Sequence, residues 1–397
     1  MPVQPPVYLD HNATTPVDPR VLDAMLPHFR EAFGNAASAH TFGCAANSAV
    51  DKARQQTANL ISADPREIIW TSGATESDNL AIKGVAEQYK EKGRHIITAI
   101  HEHHAVLDPC RKLASRGYDV TFLRPEANTG GIITAAQVAA AIRANTILVS
   151  IMWANNEVGT INEISGIGAV CHERGVIFHT DATQAVGRVP IDVAAASIDL
   201  LSASAHKFHG PKGVGFLFVR RKGPRVRLDP LFDGGGHERG MRSGTLNVPG
   251  IVGLGFAAAL CALEFTEEIP RLRTLRDHLE SSLLAAIPGS VVNGHQTKRL
   301  PQTCNISLPN VESDRLIASM NDLAISAGAA CTSASREVSH VLSALALSED
   351  QARGAMRLSL GRFTTKEEID WAVKRIHGAM VSLKDSASAA CENEMHN

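Results

Sequence analysis

The feature that most constrains the fold is the alternation of short apolar segments with helical windows through the first 260 residues. These segments are apolar throughout rather than at every second position, which is typical of strands buried on both faces by helices. Helical windows such as 134–144 and 164–174 lie between most of them. We therefore predict an α/β fold with a mostly parallel central sheet. The predicted strands are 67–70, 95–100, 120–123, 146–152, 176–179, 198–202 and 213–219.

The sequence changes character near residue 250. A long helical region, 252–265 and then 269–286, precedes short strand-like pieces and a closing helix from residue 366. The pieces lie near residue 290 and at 303–308 and 355–360. A chain of 397 residues is long enough for two cores. We expect a large domain over 16–262, a smaller α+β domain built from 1–15 with 263–384, and a disordered tail over 385–397.

Composition excludes several classes of function. The net charge is −2 and aromatic residues make up 5%, which argues against nucleic acid or an anionic membrane as a partner. Seven cysteines without a Cys-x-x-Cys pair indicate neither a disulfide framework nor a zinc site. The N-terminus lacks the pattern of a secretory signal, and no run approaches the roughly 18 to 20 apolar residues of a membrane span. We expect a cytoplasmic protein with free thiols.

Lys207 has an unusual position. It lies between two histidines in SASAHKFHGPKGVGF, just after an apolar strand and just before a Gly-Pro turn. A single lysine is most often a solvated surface residue. The rest of the sequence decides whether this one is different.

The segment TSGATESDN, residues 71–79, follows a predicted strand and opens a helix. Small residues let the backbone approach a ligand, and the free N–H groups of a helix start favour an anion such as phosphate. A capping box, with Ser72 or Thr75 satisfying the first turn, is an equally good interpretation. No Gly-Lys-Ser or Gly-Lys-Thr sequence occurs, so a nucleotide P-loop is excluded.

Asp181, in HTDATQ, falls at the carboxyl end of an apolar strand, where ligands of open α/β sheets bind. It can also serve as the N-cap of a following helix. A phosphate cradle, this aspartate and Lys207 are together the parts of a pyridoxal phosphate site. The lysine forms the Schiff base, and the aspartate keeps the pyridine nitrogen protonated. Burial among histidines would lower the pKa of Lys207, and His103 offers a ring to stack on the cofactor.

Eight segments in unbroken order carry a family resemblance from about residue 7 to about 380. The chain resembles the cysteine desulfurases of the NifS/IscS type, members of the class V aminotransferase group with the fold-type I architecture of pyridoxal phosphate enzymes. The segments are YLDHNATT, TSGATESDNL, EHHAVLD, WANNEVGT, HTDATQAVG, SAHKFHGPKGVG, GGGHERGMRSGT and AGAACTSAS.

The resemblance implies a role for each matching residue. Lys207 would form the Schiff base, Asp181 would pair with the pyridine nitrogen, and Gln184 would hydrogen-bond the ring hydroxyl. His103 would stack on the ring and assist proton transfer. The phosphate would be held by Ala74, Thr75, Ser204 and His206, together with Thr245 from the other subunit of a homodimer. The substrate carboxylate would be bound by Asn156 and Arg357, with help from Asn35.

Cys331 is the implied sulfur-accepting nucleophile. Gly, Ala and Ser flank it on both sides, which predicts an exposed, mobile loop at about 326–338. Such a loop would let the thiol reach a buried substrate and leave with its cargo. An exposed cysteine without a role is the alternative, and we regard the other six cysteines as structural or incidental.

The implied reaction converts L-cysteine to L-alanine and leaves the sulfur on Cys331 as a persulfide. A sulfur-acceptor protein would then take it, with an Fe–S cluster bound through Cys331 at transfer, and no metal is predicted otherwise. The alternatives are a selenocysteine lyase, which shares the Gly-Ala-Ala-Cys loop, a non-catalytic sulfur-trafficking scaffold, and a metalloenzyme built on His101, His103, His104, His206 and His209.

The chain departs from the common family pattern in three places. Gly328-Ala-Ala-Cys331 replaces Gly-Ser-Ala-Cys, and Ala205 replaces a glycine, without loss of a reacting atom. The C-terminal tail lacks the aromatic-rich extension that resembles a docking segment in some members. The identity of the acceptor is therefore left open.

Overall fold

The computed structural model describes residues 3–126, 128–327 and 339–394, with side chains as far as Leu383. Its elements in chain order, up to the end of the large sheet, are β1 (Val7–Tyr8), α1 (Pro19–Met25), α2 (Pro27–Arg30), α3 (Thr41–Leu60), β2 (Ile68–Thr71), α4 (Ala74–Gln88), β3 (His95–Ala99), α5 (His104–Ala114), β4 (Asp119–Leu123), α6 (Ala135–Ala141), β5 (Thr146–Ser150), α7 (Ile164–Glu173), β6 (Ile177–Asp181), β7 (Leu200–Ser204) and β8 (Gly215–Val219). The remaining elements are α8 (Val248–Ala286), β9 (Val291–Val292), β10 (Thr303–Ser307), α9 (Ser313–Ala318), β11 (Leu323–Ala324), β12 (Ser326–Ala327), α10 (His340–Ala344), α11 (Glu349–Arg353), β13 (Ala355–Ser359) and α12 (Lys366–Glu394).

The large sheet has seven strands in the order β2-β8-β7-β6-β5-β3-β4. Strand β8 runs antiparallel to both of its neighbours, and every other pairing is parallel. All seven predicted strands are present, with ends that differ from the prediction by no more than two residues. The predicted α/β class with a mostly parallel sheet is confirmed.

Except at the edge strand β4, both faces of this sheet are buried, which explains why its strands are apolar throughout. On β2, Ile68 and Trp70 belong to one hydrophobic cluster, while Ile69 between them belongs to another. The same alternation occurs on β3, where Ile97 and Ile96 face opposite clusters. Helices therefore cover the sheet on two sides.

A second, smaller sheet follows in the chain. Its four strands, β12-β13-β10-β9, are all antiparallel, and β1 pairs with β11 beside them. Val7 and Leu9 pack in the same cluster as Leu358 and Ile369, so the N-terminal segment joins this core. The domain division itself stays a prediction.

Helix α8 links the two cores. Its first half packs with the large-sheet cluster through Leu254 and Ala257, and its second half packs with the other cluster through Leu272 and Leu279. The predicted boundary at residues 262 and 263 lies inside this one helix, which also contains Pro270. By length and composition α8 could cross a membrane, but 56% of its most apolar window is buried and it packs against α3, as a core helix does.

The closing helix is longer than predicted. The backbone of α12 remains helical to Glu394, whereas we expected disorder from residue 385. Residues 385–391 read DSASAAC, and alanine is the strongest helix former, so the segment can continue a helix that has already begun. Residues 395–397 lie outside the described part of the chain.

The topology brings three chain segments to one edge of the large sheet. Strands β6 and β7 are parallel neighbours, and their carboxyl ends carry Asp181 and Ser204. Strand β2 runs in the same direction, because it is antiparallel to β8, which is itself antiparallel to β7. The start of α4, just after β2, therefore lies at the same edge. This is where a ligand of an open α/β sheet is expected.

Candidate active site

Lys207 ends the short 3-10 turn that follows β7. Its Nζ donates hydrogen bonds to the carbonyl oxygens of Asn12 at 2.7 Å and Ala13 at 2.8 Å. Burial, assisted by the positive charge of Arg357, lowers the pKa of Lys207 to about 8, although Asp181 favours the charged form. The predicted lowering of this pKa is confirmed.

The two histidines near the lysine, His206 and His209, connect this turn to residues 14–16 of the N-terminal segment by hydrogen bonds. His206 Nδ1 lies 3.0 Å from Thr14 Oγ1, and burial lowers the pKa of His206 to about 4. His209 donates from Nδ1 to the carbonyl of Pro16 at 3.1 Å and is fully buried. In the described part of the chain, no three His, Cys, Asp or Glu side chains are grouped to hold a metal ion. The metalloenzyme alternative therefore has no support there.

Asp181 is the last residue of β6 and is buried in the wall of a cavity. Its Oδ1 accepts a hydrogen bond from the Thr183 amide at 2.9 Å, so it caps a turn, but no helix follows. Gln184 lies beside it and donates from Nε2 to the Asn12 carbonyl at 2.9 Å, the same oxygen that Lys207 contacts.

The start of α4 is open toward the cavity. Its N-cap is Gly73, and no side chain caps the first turn, so the capping-box alternative for this segment is not formed. Ala74 and Thr75 line the cavity with Ser204 opposite, and a Cβ added at Gly73 would meet only Ser204 Oγ, at 3.6 Å. An uncapped helix start with space before it is a ready site for an anion.

Glu76 also lines the cavity near this helix start, and its charge is compensated. Its carboxylate accepts hydrogen bonds from the Ser72 amide at 2.7 Å and from Arg242 Nε at 2.9 Å. These partners lower the pKa of Glu76 in spite of its burial.

His103 is the N-cap of α5, and its Nδ1 accepts a hydrogen bond from the Ala105 amide at 3.1 Å. An accepting Nδ1 places the ring proton on Nε2. The ring loses part of its water at the cavity wall, which lowers the pKa of His103, so the imidazole is neutral near pH 7.

Arg357, on β13, faces the same cavity from the smaller sheet. Its Nη2 donates to Asp10 Oδ1 at 2.7 Å, and its Nη1 donates to the carbonyl of Asn156 at 3.1 Å. Asn156 also lines the cavity. The structure thus brings the predicted carboxylate-binding pair together, opposite Lys207.

Two predicted residues are not part of this arrangement, and a third cannot be placed because it lies outside the described residues. Thr245 and Asn35 are exposed and do not line the cavity, and the side chain of Asn35 accepts a hydrogen bond from the Ala37 amide at 3.0 Å. Cys331 lies outside the described residues, as does most of its predicted loop.

The sequence reasoning missed the N-terminal segment 10–14 as part of the site. Asp10, Asn12, Ala13 and Thr14 line the cavity and contact Arg357, Gln184, Lys207 and His206. The segment YLDHNATT, one of the eight matching segments, carries the sequence signal that identifies these residues.

The cavity has a volume of about 710 Å³, which suits a small-molecule cofactor together with a substrate. The cavity brings together three chemically distinct groups: a lysine of lowered pKa, a buried aspartate and an uncapped helix start. These residues fit pyridoxal phosphate, with an amine for its aldehyde, a carboxylate for its ring nitrogen and free N–H groups for its phosphate.

Comparison with known proteins agrees with this chemistry. The model of the class-V aminotransferase family matches residues 7–371. The chain is 54% identical over 370 residues to the cysteine desulfurase IscS of Anaeromyxobacter dehalogenans, covering 93% of this chain and 91% of that protein. It is 52% identical over 383 residues to the IscS of Pectobacterium carotovorum, covering 96% and 94%.

Among solved structures, a NifS-like protein is similar with a TM-score of 0.87 and 38% identity, covering 94% of this chain and 99% of that one. A structure of SspA in complex with cysteine is similar with a TM-score of 0.79 and 39% identity, covering 90% and 99%.

The chain belongs to the class-V aminotransferase family of pyridoxal phosphate enzymes. Within that family it belongs with the cysteine desulfurases of the NifS/IscS type. The predicted family and cofactor are confirmed, and the selenocysteine lyase alternative is not favoured.

Proposed function

We propose that the protein is a cysteine desulfurase that acts on L-cysteine, releases L-alanine and passes the sulfur through Cys331 to an acceptor protein. The observation that carries this function is the position of Lys207. Its amine, with a pKa of about 8, faces a cavity that also contains Asp181, the open start of α4 and Arg357.

Each residue has a task at a stated atom. Asp181 would hold the protonated ring nitrogen of the cofactor, and Ala74, Thr75, Ser204 and His206 would hold its phosphate. Pyridoxal phosphate, when bound, supplies an electron sink for negative charge at the substrate Cα. Lys207 Nζ, in its neutral form, takes the Cα proton, and the neutral His103 ring assists proton movement from Nε2.

Sulfur transfer needs a thiolate at Cys331 and no external oxidant. The Cys331 sulfur attacks the sulfur of the substrate, and the substrate C–S bond breaks with its electron pair remaining on carbon. The carbon is then protonated, which yields L-alanine and a persulfide on Cys331. The atoms of L-cysteine and one enzyme thiol equal those of L-alanine and one persulfide.

We also infer that the working unit is a homodimer. Phe29, Phe33 and Phe42, on and beside α2 and α3, are each more than half exposed, with the Phe33 and Phe42 rings 5.6 Å apart. An exposed aromatic patch is typical of a protein interface. The exposed Thr245 would then reach the cofactor phosphate bound by the partner subunit. We place this dimer in the cytoplasm.

The dimer is tested by size-exclusion chromatography with light scattering. Wild-type protein should have about twice the chain mass of 42.4 kDa. Phe33→Asp should shift the mass toward one chain, whereas Val291→Asp, an exposed residue of β9, should not. A wild-type monomer would contradict the dimer and the assigned role of Thr245.

The activity is tested with purified protein, pyridoxal phosphate, L-cysteine and a thiol reductant. Wild type should produce L-alanine and sulfide in equal amounts. Cys331→Ser should retain the cofactor absorbance but lose sulfide release. Normal sulfide release by this variant would instead indicate direct elimination from the substrate. In that case, turnover of selenocysteine and L-cysteine would be compared to test the selenocysteine lyase alternative.

A further inference from the structure

The ion pair of Asp10 and Arg357 lies inside the proposed substrate site. Arg357 Nη2 is 2.7 Å from Asp10 Oδ1, and the two side chains are 10% and 17% exposed, respectively. Ser326 Oγ completes the arrangement, donating to Asp10 Oδ1 at 2.9 Å and accepting from Arg357 Nη2 at 2.9 Å. The Asp10 carboxylate is therefore already bound to Arg357, the arginine that we expect to bind the substrate carboxylate.

The other donors of Arg357 show how a second carboxylate would approach. Nη1 is engaged with the Asn156 carbonyl, whereas Nε is buried and has no hydrogen-bond partner among the described residues. A carboxylate that binds an arginine side-on uses Nε and Nη2 together. Of these two donors, Nε is unsatisfied among the described residues, and Nη2 is held by Asp10.

We propose that Asp10 is the resting counter-ion of Arg357, occupying Nη2 until the α-carboxylate of the amino-acid substrate takes that place. This inference rests on the proposed function, in which Arg357 binds that carboxylate. Asp10 is then a positioning residue, since it acts on the substrate through Arg357. It keeps the guanidinium paired while no substrate is present, because an unpaired buried charge is strongly unfavourable.

The arrangement also has a consequence for Lys207. The charged groups that act on its amine are Arg357, which lowers its pKa, and Asp181 and Asp10, which raise it. The neighbouring His206 is neutral near pH 7. Removal of the Asp10 charge would therefore lower the pKa of Lys207 further.

The test measures equilibrium binding of L-alanine to the holoenzyme through the change in visible absorbance. Asp10→Asn keeps an oxygen that accepts from Arg357 and Ser326 but removes the competing charge. We expect it to bind L-alanine about fivefold more tightly than wild type. The affinity for cysteamine, which has no carboxylate, should not change.

The matched control is Asp119→Asn, which removes the acid of an exposed Arg143–Asp119 pair. Its L-alanine affinity should equal that of wild type. Ser326→Ala provides a second variant: it removes a hydrogen bond from Asp10 and should tighten L-alanine binding about twofold. Unchanged or weaker binding in Asp10→Asn would overturn the counter-ion.

A second readout is the pH at which Lys207 of the cofactor-free protein begins to react with pyridoxal phosphate. Loss of the Asp10 charge should move this pH downward, and an unmoved profile would contradict the proposal. The variant Arg357→Ala distinguishes a failure of this inference from a failure of the proposed function. If wild type and Arg357→Ala bind L-alanine equally well, Arg357 does not bind the substrate carboxylate. The assignment of Asp10 as its resting counter-ion is then wrong as well. If wild type does not respond to L-alanine or L-cysteine at all, the proposed function itself fails.

Discussion

The cavity has two walls that differ in how the chain builds them. The cofactor wall consists of Asp181, Ser204, Lys207 and the start of α4, all of which lie at or just after the carboxyl ends of strands of the large sheet. The substrate wall consists of residues 10–14, Asn156 and Arg357, which come from distant parts of the chain. Asp10 and Arg357, for example, are 347 positions apart.

The walls also differ in charge. On the cofactor wall Lys207 is held by two backbone carbonyls, and the histidine beside it is neutral near pH 7. The substrate wall contains a complete ion pair, Asp10 with Arg357. The first wall is thus suited to a permanent, covalently bound group, and the second to the exchange of one anion for another.

The largest effect is expected on the cofactor wall, from Lys207→Ala. Without the amine the aldehyde cannot be held covalently, so the visible absorbance of the holoenzyme should disappear and turnover should fall by about 1,000-fold or more. Absorbance spectra and L-alanine production measure the two. Lys212→Ala, which changes another lysine of the cavity lining, serves as the control and should retain the absorbance. An unchanged spectrum in Lys207→Ala would end the assignment of this wall.

The substrate wall should respond differently, and Arg357→Lys measures this. The variant keeps the charge opposite Asp10 but loses the planar fork that binds a carboxylate through two donors. KM for L-cysteine should rise roughly 10- to 100-fold, the value of one or two charge-assisted hydrogen bonds, while the cofactor absorbance stays normal. Arg143→Lys, at an exposed pair, is the control and should leave KM unchanged. Loss of the cofactor from Arg357→Lys would show that the walls are not independent.

The same contrast explains which parts of the site could be predicted from the sequence. Lys207 and Asp181 were found because each follows an apolar strand, and the carboxyl ends of parallel strands meet at one edge of a sheet. Contacts such as Asn12 with Lys207 leave no such local signal, since only the folded chain brings these segments together. The family resemblance supplied Arg357 but not Asp10, its partner.

The structure decides one open alternative about local structure and corrects one prediction. Of the two interpretations of residues 71–79, the capping box is not formed, because Gly73 takes the N-cap position of α4 and the Glu76 carboxylate accepts hydrogen bonds from the Ser72 amide and Arg242 instead. The proposed break between helices near residue 266 is absent because α8 runs continuously, with one half in each hydrophobic cluster. Tertiary packing thus overrides the local preference for a helix break at Pro270.

The next testable prediction concerns how cofactor binding at the cofactor wall depends on pH. Burial lowers the pKa of Lys207 to about 8, and only the neutral amine attacks an aldehyde. The rate of reconstitution of cofactor-free protein should therefore rise about tenfold between pH 7 and pH 9 and then level off. An ordinary lysine, with a pKa of about 10.4, would give a rise of about 100-fold over the same interval. The growth of visible absorbance at a series of pH values distinguishes these outcomes, and His206, with a pKa of about 4, does not titrate in this range.

The smallest effect tests whether the cofactor wall can be disturbed without the substrate wall. Gly215, at the start of β8, approaches Gly73 so closely that an added Cβ would lie 2.7 Å from Gly73 Cα and 2.5 Å from the Ala203 carbonyl oxygen. Gly215→Ala should push the start of α4 away from the cavity and weaken cofactor binding about fivefold, an energy of about 1 kcal/mol. KM for L-cysteine, measured with saturating cofactor, should not change. Gly378→Ala, on α12 with no atom near its added Cβ, is the matched control and should bind the cofactor normally. A rise in KM with intact cofactor affinity would mean that Gly215 supports the substrate wall rather than the cofactor wall.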